Sequence, residues 1–320
     1  MKNMYKICVF DTCICSENTG DYIIMESVYK ILRHRFSDSF FYNVATHEKL
    51  NFESYRLIRK SDYRIVGGTN LLSSNMHVYN QWKINLLDMP FLKGVILMGV
   101  GWWQYQQKPN KYSAYLLKSV LSRKGIHSVR DAYTQKMLAS IGITNVINTG
   151  CPTMWNLTEA HCREIPEEKA DAVIFTLTDY NQDPVNDKRF LDMLLKSYNE
   201  VYFWPQGSND YEYIKKLKYH DRVAIIAPQL ERIYQLLGDD EKSLDYVGTR
   251  LHAGIAALQH KRRSIILGID NRAVEISNDC KLKVIQRRHV DDLKPLIHSS
   301  FETKIDLPAS NIQKWLAQFK

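Results

Sequence analysis

Leu244-Asp245-Tyr246-Val247-Gly248-Thr249-Arg250-Leu251-His252-Ala253-Gly254-Ile255-Ala256-Ala257 is the stretch on which the fold turns. Apolar residues at 244, 246 and 247 make a short strand that ends in Gly248 and Thr249. A helix of small residues follows at once, from His252 to Gln259. A strand running through a tight glycine turn into a helix is the repeating unit of parallel α/β sheets.

Moving outward, the same alternation recurs on both sides. Toward the C-terminus, Ser264–Leu267 and Leu282–Ile285 read as strands, Asp292–His298 as a helix, and Ala309–Phe319 as a last helix after Pro308. Immediately upstream lie strand candidates at Ala172–Leu177, Val201–Trp204 and Val223–Ile226. They alternate with helices at Asp187–Tyr198, Tyr211–Lys218 and Leu230–Leu237. The polar stretch Glu159–Lys169 interrupts the pattern and reads as a linker. Before it, strands are expected at Tyr5–Thr12, Phe40–Val44, Arg64–Asn70, Gly94–Val100, Ile126–Asp131 and Val146–Thr149. Helices are expected at Tyr22–Phe36, Asn110–Lys124 and Ala132–Ile141. The expected architecture is two Rossmann-like α/β domains facing a cleft, residues 1–160 and 161–320, with the last helix in the second.

Composition excludes several classes. With 45% hydrophobic and 24% charged residues, the 320-residue chain fits globular domains and not disorder. A net charge of +8 raises nucleic acid, anionic membrane surfaces and anionic substrates as partners. The basic residues are dispersed, with only short clusters at Lys261-Arg262-Arg263 and Arg287-Arg288-His289. No nucleic-acid motif accompanies them, so no nucleic-acid partner is expected, and a solvated positive face explains most of the charge. The N-terminal apolar run is too short for a signal-peptide core, and the uncharged stretch Gly94–Gln107 is too short to span a bilayer. A cytoplasmic protein is expected, at most peripheral to the inner face of a membrane. The six cysteines are scattered without CxxC spacing, so no metal is expected; the sequon Asn156-Leu157-Thr158 carries little weight alone.

Ligands of open α/β sheets sit beyond the carboxyl ends of strands. Five loops occupy such places: Asn18-Thr19-Gly20-Asp21, Gly67-Gly68-Thr69-Asn70, Gly99-Val100-Gly101-Trp102, Val129-Arg130-Asp131 and Thr249-Arg250-Leu251-His252. Arg250 and His252 stand at a helix start, where a cation opposes the helix dipole, so stability alone does not select them. Backbone N–H groups with a guanidinium make an anion site; a surface arginine and a core histidine are the plainer reading. Arg130 repeats the arrangement, either as an anion contact or paired with a surface carboxylate, while Asp131 is a credible N-cap. Trp102-Trp103 with Tyr105 fits a sugar-stacking platform and fits buried aromatic packing better. GxGxxG and GxxxxGK[ST] are both absent.

Taken in order, Asn18-Thr19-Gly20-Asp21, Val66-Gly67-Gly68, Ser128-Val129-Arg130-Asp131, Thr249-Arg250-Leu251-His252-Ala253 and Leu267-Gly268-Ile269-Asp270 resemble the polysaccharide pyruvyl transferase family. The resemblance runs from about Tyr5 to Asp270. It implies a GT-B-like fold and an enzyme that uses phosphoenolpyruvate, with no cofactor, to build a pyruvate ketal across two hydroxyls of a polysaccharide or lipid-linked glycan. Arg130 and Arg250 would then hold the donor carboxylate and phosphate, with Thr249, Leu251 and His252 beside them. His252 is the best candidate for proton transfer. Asn18, Asp21, Gly68, Thr69 and Asp131 would belong to cleft or acceptor loops. Three positions depart from the pattern: Thr69 replaces a common third glycine, Met98–Trp102 is not the usual Gly-Gln-Gly run, and Cys151-Pro152 replaces an Asp-Pro. A glycosyltransferase using a nucleotide sugar is the competing expectation.

Overall fold

The computed structural model describes residues 4–319 and divides the chain into two compact units. The first comprises residues 1–16, 24–155 and 307–320; the second, residues 17–23 and 156–306.

The first unit carries β1 (Lys6–Asp11), β2 (Phe40–Ala45), β3 (Tyr63–Gly67) and β4 (Ile96–Met98) in one parallel sheet of order β2-β1-β3-β4. A parallel pair, β5 (His127–Val129) and β6 (Val146–Asn148), continues from it through a bridge between Val100 and Val129. β1 is buried from Ile7 to Asp11, as expected of a central parallel strand covered on both faces. Helices α1 (Thr19–Arg35), α2 (Phe52–Lys60), α3 (Lys111–Val120) and α4 (Ala132–Ala139) connect the strands. Each of the last three starts under a side-chain cap from Asn51, Asn110 or Asp131.

The second unit is a six-stranded parallel sheet. Its strands are β7 (Ala172–Thr176), β8 (Glu200–Phe203), β9 (Ala224–Ile225), β10 (Leu244–Gly248), β11 (Arg263–Gly268) and β12 (Val284–Gln286). Their order, β9-β8-β7-β10-β11-β12, is the 3-2-1-4-5-6 arrangement of a doubly wound Rossmann sheet, with the direction of winding reversing between β7 and β10. The connecting helices are α5 (Glu159–Cys162), α6 (Pro184–Ser197), α7 (Asp210–Leu217), α8 (Leu230–Leu237), α9 (Leu251–Gln259), α10 (Asn271–Cys280) and α11 (Leu293–His298). α9 is buried from Leu251 to Leu258. A Cβ at Gly254 would overlap Ile266 Cδ1, so the small residues let this helix lie directly on the sheet.

The division expected from the sequence, 1–160 and 161–320, differs from this in two places. The last helix, α12 (Ala309–Ala317), belongs to the first unit: Trp315 and Phe319 are buried there, Trp315 packs edge-on against Trp155, and Phe319 against Phe36 and Tyr63. Residues 17–23 group with the second unit, for the hydrogen-bonding reasons given below. The linker expected at 159–169 instead opens with α5, capped by the Thr158 hydroxyl. Among the described residues, no helix is long and apolar enough to cross a membrane.

Candidate active site

At the switch point of the second unit, the ends of β7 and β10 clamp Thr249 and Arg250 into place. The Thr249 N–H donates to Thr176 O at 3.2 Å, and its hydroxyl lies 2.8 Å from that of Thr178. The Arg250 N–H donates to the Thr176 hydroxyl at 3.1 Å, while the Tyr246 hydroxyl donates to Arg250 O at 2.8 Å. Both the N–H and the carbonyl of Arg250 are thus held.

The Arg250 guanidinium is 5% exposed and almost fully engaged. Nε donates to Leu177 O at 3.3 Å and to Asp210 Oδ2 at 3.1 Å; Nη2 donates to Asp210 Oδ1 and, at 3.1 Å, to Asp179 Oδ1. Its Cζ lies 5.1 Å from the centroid of the Tyr180 ring. Asp210 is fully buried and also accepts from the N–H groups of Asp179, Gln206 and Gly207, at 3.0, 3.1 and 2.7 Å. Burial pushes the Asp210 carboxyl above its ordinary range, against the pull of Arg250. A Cβ at Gly207 would overlap Arg250 Nη2, so glycine is required for this approach.

Directly after Arg250, α9 begins without a side-chain cap, with His252 in its first turn and 5% exposed. The helix start is therefore an uncapped positive dipole end. The Asn18 loop joins this unit through the Gln206 turn. Thr19 donates from its N–H and its hydroxyl to Gln206 O, at 2.9 and 2.7 Å, and Asn18 bridges Gly207 in antiparallel fashion. Asn18 and Asp21 therefore sit with the second unit, where the sequence assigns them to the first. The hydrogen bonds that hold this loop come from a turn nearly two hundred residues away.

Three of the expected loops meet in the first unit. The Gly101 N–H donates to Thr69 O at 2.8 Å, and the Arg130 N–H to Val100 O at 3.1 Å. Gly68 lies at φ +60, where a Cβ would overlap Ile24, and Thr69 follows at φ +50. At the position where the family commonly has a third glycine, a threonine thus holds a backbone shape that glycine adopts without strain. Arg130 is fully buried beneath Gly101, whose Cβ would overlap Nη2. Nη2 donates to Asn70 Oδ1. Nε lies 3.5 Å from Asp131 Oδ2, and among the described residues neither Nε nor Nη1 makes a hydrogen bond. Asp131 is the N-cap of α4, accepting from the Thr134 N–H at 2.7 Å. Cys151, standing in place of the family's aspartate, is close enough to feel the Arg130 charge, although burial dominates and pushes its thiol up.

The sequence reading missed Asp179, Tyr180, Gln206, Gly207 and Asp210. Four of these follow the ends of β7 and β8, so the strand-end rule that selected the other loops covers them too. Asp210 needs its fold partner to be recognised. Among the described residues, no group of three His, Cys, Asp or Glu side chains is placed to hold a metal ion.

The family model for polysaccharide pyruvyl transferases matches residues 18–271. No protein with a curated description matches the chain by sequence. Among solved structures, the S. aureus MnaA–UDP co-structure is similar over 98% of this chain and 97% of that one, at a TM-score of 0.56 and 16% identity. The Neisseria meningitidis UDP-GlcNAc 2-epimerase bound to UDP-GlcNAc is similar over 99% of this chain and 100% of that one, at 0.46 and 13%. The first of these shows a shared GT-B-like α/β fold, and the family match covers both arginine loops. The chain belongs to the polysaccharide pyruvyl transferase family.

Proposed function

We propose that this transferase moves the pyruvyl group of phosphoenolpyruvate onto two hydroxyls of one sugar in a polysaccharide or lipid-linked glycan precursor. The products are a pyruvate ketal and inorganic phosphate. The observation that carries the proposal is Arg130, a fully buried guanidinium that faces Asp131 at 3.5 Å and has two nitrogens without a hydrogen bond among the described residues. A buried cation in that state costs free energy, and an anionic oxygen removes the cost. Phosphoenolpyruvate, with about three negative charges, is such a ligand. In the second unit, the start of α9, which has no side-chain cap, presents the N–H groups of a helix N-terminus, while Arg250 beside it is held by Asp179 and Asp210.

The reaction needs a proton on the methylene carbon, which leaves an oxocarbenium-like centre at C2. One sugar hydroxyl adds there and loses its proton; a second then displaces phosphate, closing the ketal. His252, at the start of α9, delivers the first proton in this proposal. Imidazole can give or take a proton near neutral pH, which suits this role.

The test is incubation with phosphoenolpyruvate and a panel of glycosides, with mass spectrometry for a ketal adduct and an assay for released phosphate. Neither adduct nor phosphate appearing would sink the proposal. A nucleotide-sugar donor is tested in parallel by the rise in melting temperature with UDP or GDP sugars compared with phosphoenolpyruvate. Within the reaction, His252→Gln keeps a hydrogen-bond donor and removes the proton shuttle. Turnover is expected to fall roughly 10²–10⁴-fold with donor binding largely kept. A His252→Gln enzyme working at the wild-type rate would move the proton to another group.

A further inference from the structure

Two segments of the first unit, Thr69–Trp82 and Gly94–Gln107, stand apart from the rest of the chain. In a protein with 24% charged residues, the first contains none and the second only Gln, Gly, apolar and aromatic residues after Lys93. In the structure they are zipped together. The Leu72 N–H donates to Gly101 O at 3.2 Å and the Trp103 N–H to Leu72 O at 2.8 Å, while the Ser74 N–H donates to Gln106 Oε1 at 2.7 Å. Trp102 is completely buried, as packing requires. Trp103 and Tyr105 are not.

Trp103 is half-buried and stacked on Tyr79, with centroids 3.5 Å apart and planes 18° apart. Tyr105 is 58% exposed and meets Tyr133 edge-on. Between them Gln104 holds φ +52, a left-handed backbone that a glutamine adopts at a cost, and this turn sets the two rings on either side of it. Gln104 and Gln107 are exposed, with Asn75 and His77 exposed on the facing segment and Gln81 donating to the Tyr79 hydroxyl. Exposed rings surrounded by amides, without a carboxylate or ammonium in either segment, match one ligand chemistry. The C–H face of a pyranose packs on an aromatic ring, and its hydroxyls, each donor and acceptor, pair with amides that are both. Gly101, two residues before Trp103, lies directly on Arg130, so the patch adjoins the residue that carries the proposed function.

We propose that Trp103, backed by Tyr79, together with Tyr105 binds an uncharged sugar unit of the acceptor glycan. This deepens the proposed function by naming where the acceptor is held, and it rests on the acceptor being a glycan. Tyr133 braces Tyr105, and the stack of Tyr79 keeps the Trp103 ring from turning, which lowers the entropy lost when a sugar is bound.

The experiment is saturation-transfer NMR on the full chain without phosphoenolpyruvate, using neutral di- and trisaccharide glycosides alongside glucuronate-containing ones. Neutral glycosides are expected to bind the wild type. Trp103→Ala should weaken them about tenfold or more, and Tyr105→Ala by a smaller factor. Trp103→Phe, which keeps an aromatic face, should restore most of the binding, and unchanged melting curves exclude a folding defect. Wild-type affinity in both Ala variants, a preference for the glucuronate compounds, or no glycoside binding at millimolar concentration would each overturn the inference. Because binding is read without turnover, glycosides held at Trp103 in a protein that forms no ketal would refute the proposed reaction and leave this site standing.

Discussion

Arg250 and Arg130 share a sequence context, a strand end followed by an arginine and a helix, and the fold gives them opposite surroundings. Arg250 meets two carboxylates and a carbonyl, with Asp210 taking two of its nitrogens. Arg130 meets an amide and, at 3.5 Å, one oxygen of Asp131, whose other oxygen caps α4. The first arginine is the centre of a structural knot that joins β7, β10 and the start of α7. The second is more deeply buried and less satisfied. The lesson is that burial of a charge says little until its partners are counted: one of these guanidinium groups organises its unit, and the other keeps two nitrogens without a hydrogen bond among the described residues.

The comparison is tested hardest at Arg250. Replacing it with methionine strands Asp210, whose side chain has no exposure, with a charge and no cation. Breaking a buried pair from one side costs about 3–5 kcal/mol, so Arg250→Met should lower the urea midpoint sharply. Arg250→Met combined with Asp210→Asn should recover part of that loss, since the buried charge at 210 is gone and an amide oxygen can still accept from the N–H groups of Asp179, Gln206 and Gly207. A single variant as stable as the wild type would show that Asp210 is satisfied without Arg250. The knot would then be no knot.

The two arginines also mark how far the sequence can be read. The turn Gly248-Thr249-Arg250 announces itself locally, because strand period, glycine and small-residue helix lie within fourteen residues. Asp210 sits forty residues upstream at a helix start, where an acidic residue is unremarkable for dipole reasons, and only the parallel pairing of β7 with β8 and β10 brings it to Arg250. α12 is legible as a helix from its apolar spacing, yet nothing in that spacing says which core Trp315 enters. α2 and α10, absent from the sequence reading, are short amphipathic helices of mostly polar residues, with few apolar positions to mark their period. The Asn18 loop shows the same limit of local reasoning: its partner is a backbone carbonyl, and side-chain identity carries no record of that.

A smaller effect separates the two surroundings by pH. His127 lies on β5, three residues before Arg130, with Nδ1 accepting from the Leu97 N–H at 3.2 Å and Nε2 facing Ser122 O at 2.9 Å. That arrangement needs the neutral ring with its proton on Nε2. Burial pushes the imidazole down to about 4, while the Ser122 carbonyl pulls the other way. The unfolded chain, titrating near 6.5, therefore takes up a proton that the folded chain refuses. The stability His127 contributes is intact above pH 6.5 and is lost as pH falls toward 4, by about 3 kcal/mol at roughly 1.4 kcal/mol per unit. Hydrogen exchange at 127–131 should speed up over that range, and the His127→Asn variant should lose this part of the pH dependence. An unchanged slope in the variant would assign the acid sensitivity to other groups.

The smallest expected change in stability is at Arg130, and it is the one that decides the comparison. Arg130→Met keeps much of the side chain's volume and removes a guanidinium of which two nitrogens are unsatisfied. Asp131 Oδ2 loses the cation it faces at 3.5 Å, while Oδ1 still accepts from the Thr134 N–H, and the Asn70 carbonyl loses a donor. Combining Arg130→Met with Asp131→Asn, which keeps an acceptor for the cap and leaves no charge unpaired, should hold the unfolding free energy within about 1 kcal/mol of the wild type, because replacing both members of a buried ion pair is often neutral. In the same double variant, the rise in melting temperature caused by phosphoenolpyruvate should disappear. The two readings separate cleanly. A variant that folds as well as the wild type and ignores the donor makes Arg130 a binding group. A variant that loses several kcal/mol makes it structural, which would mean that its nitrogens find acceptors in solution and that Arg130 and Arg250 differ less than their surroundings indicate.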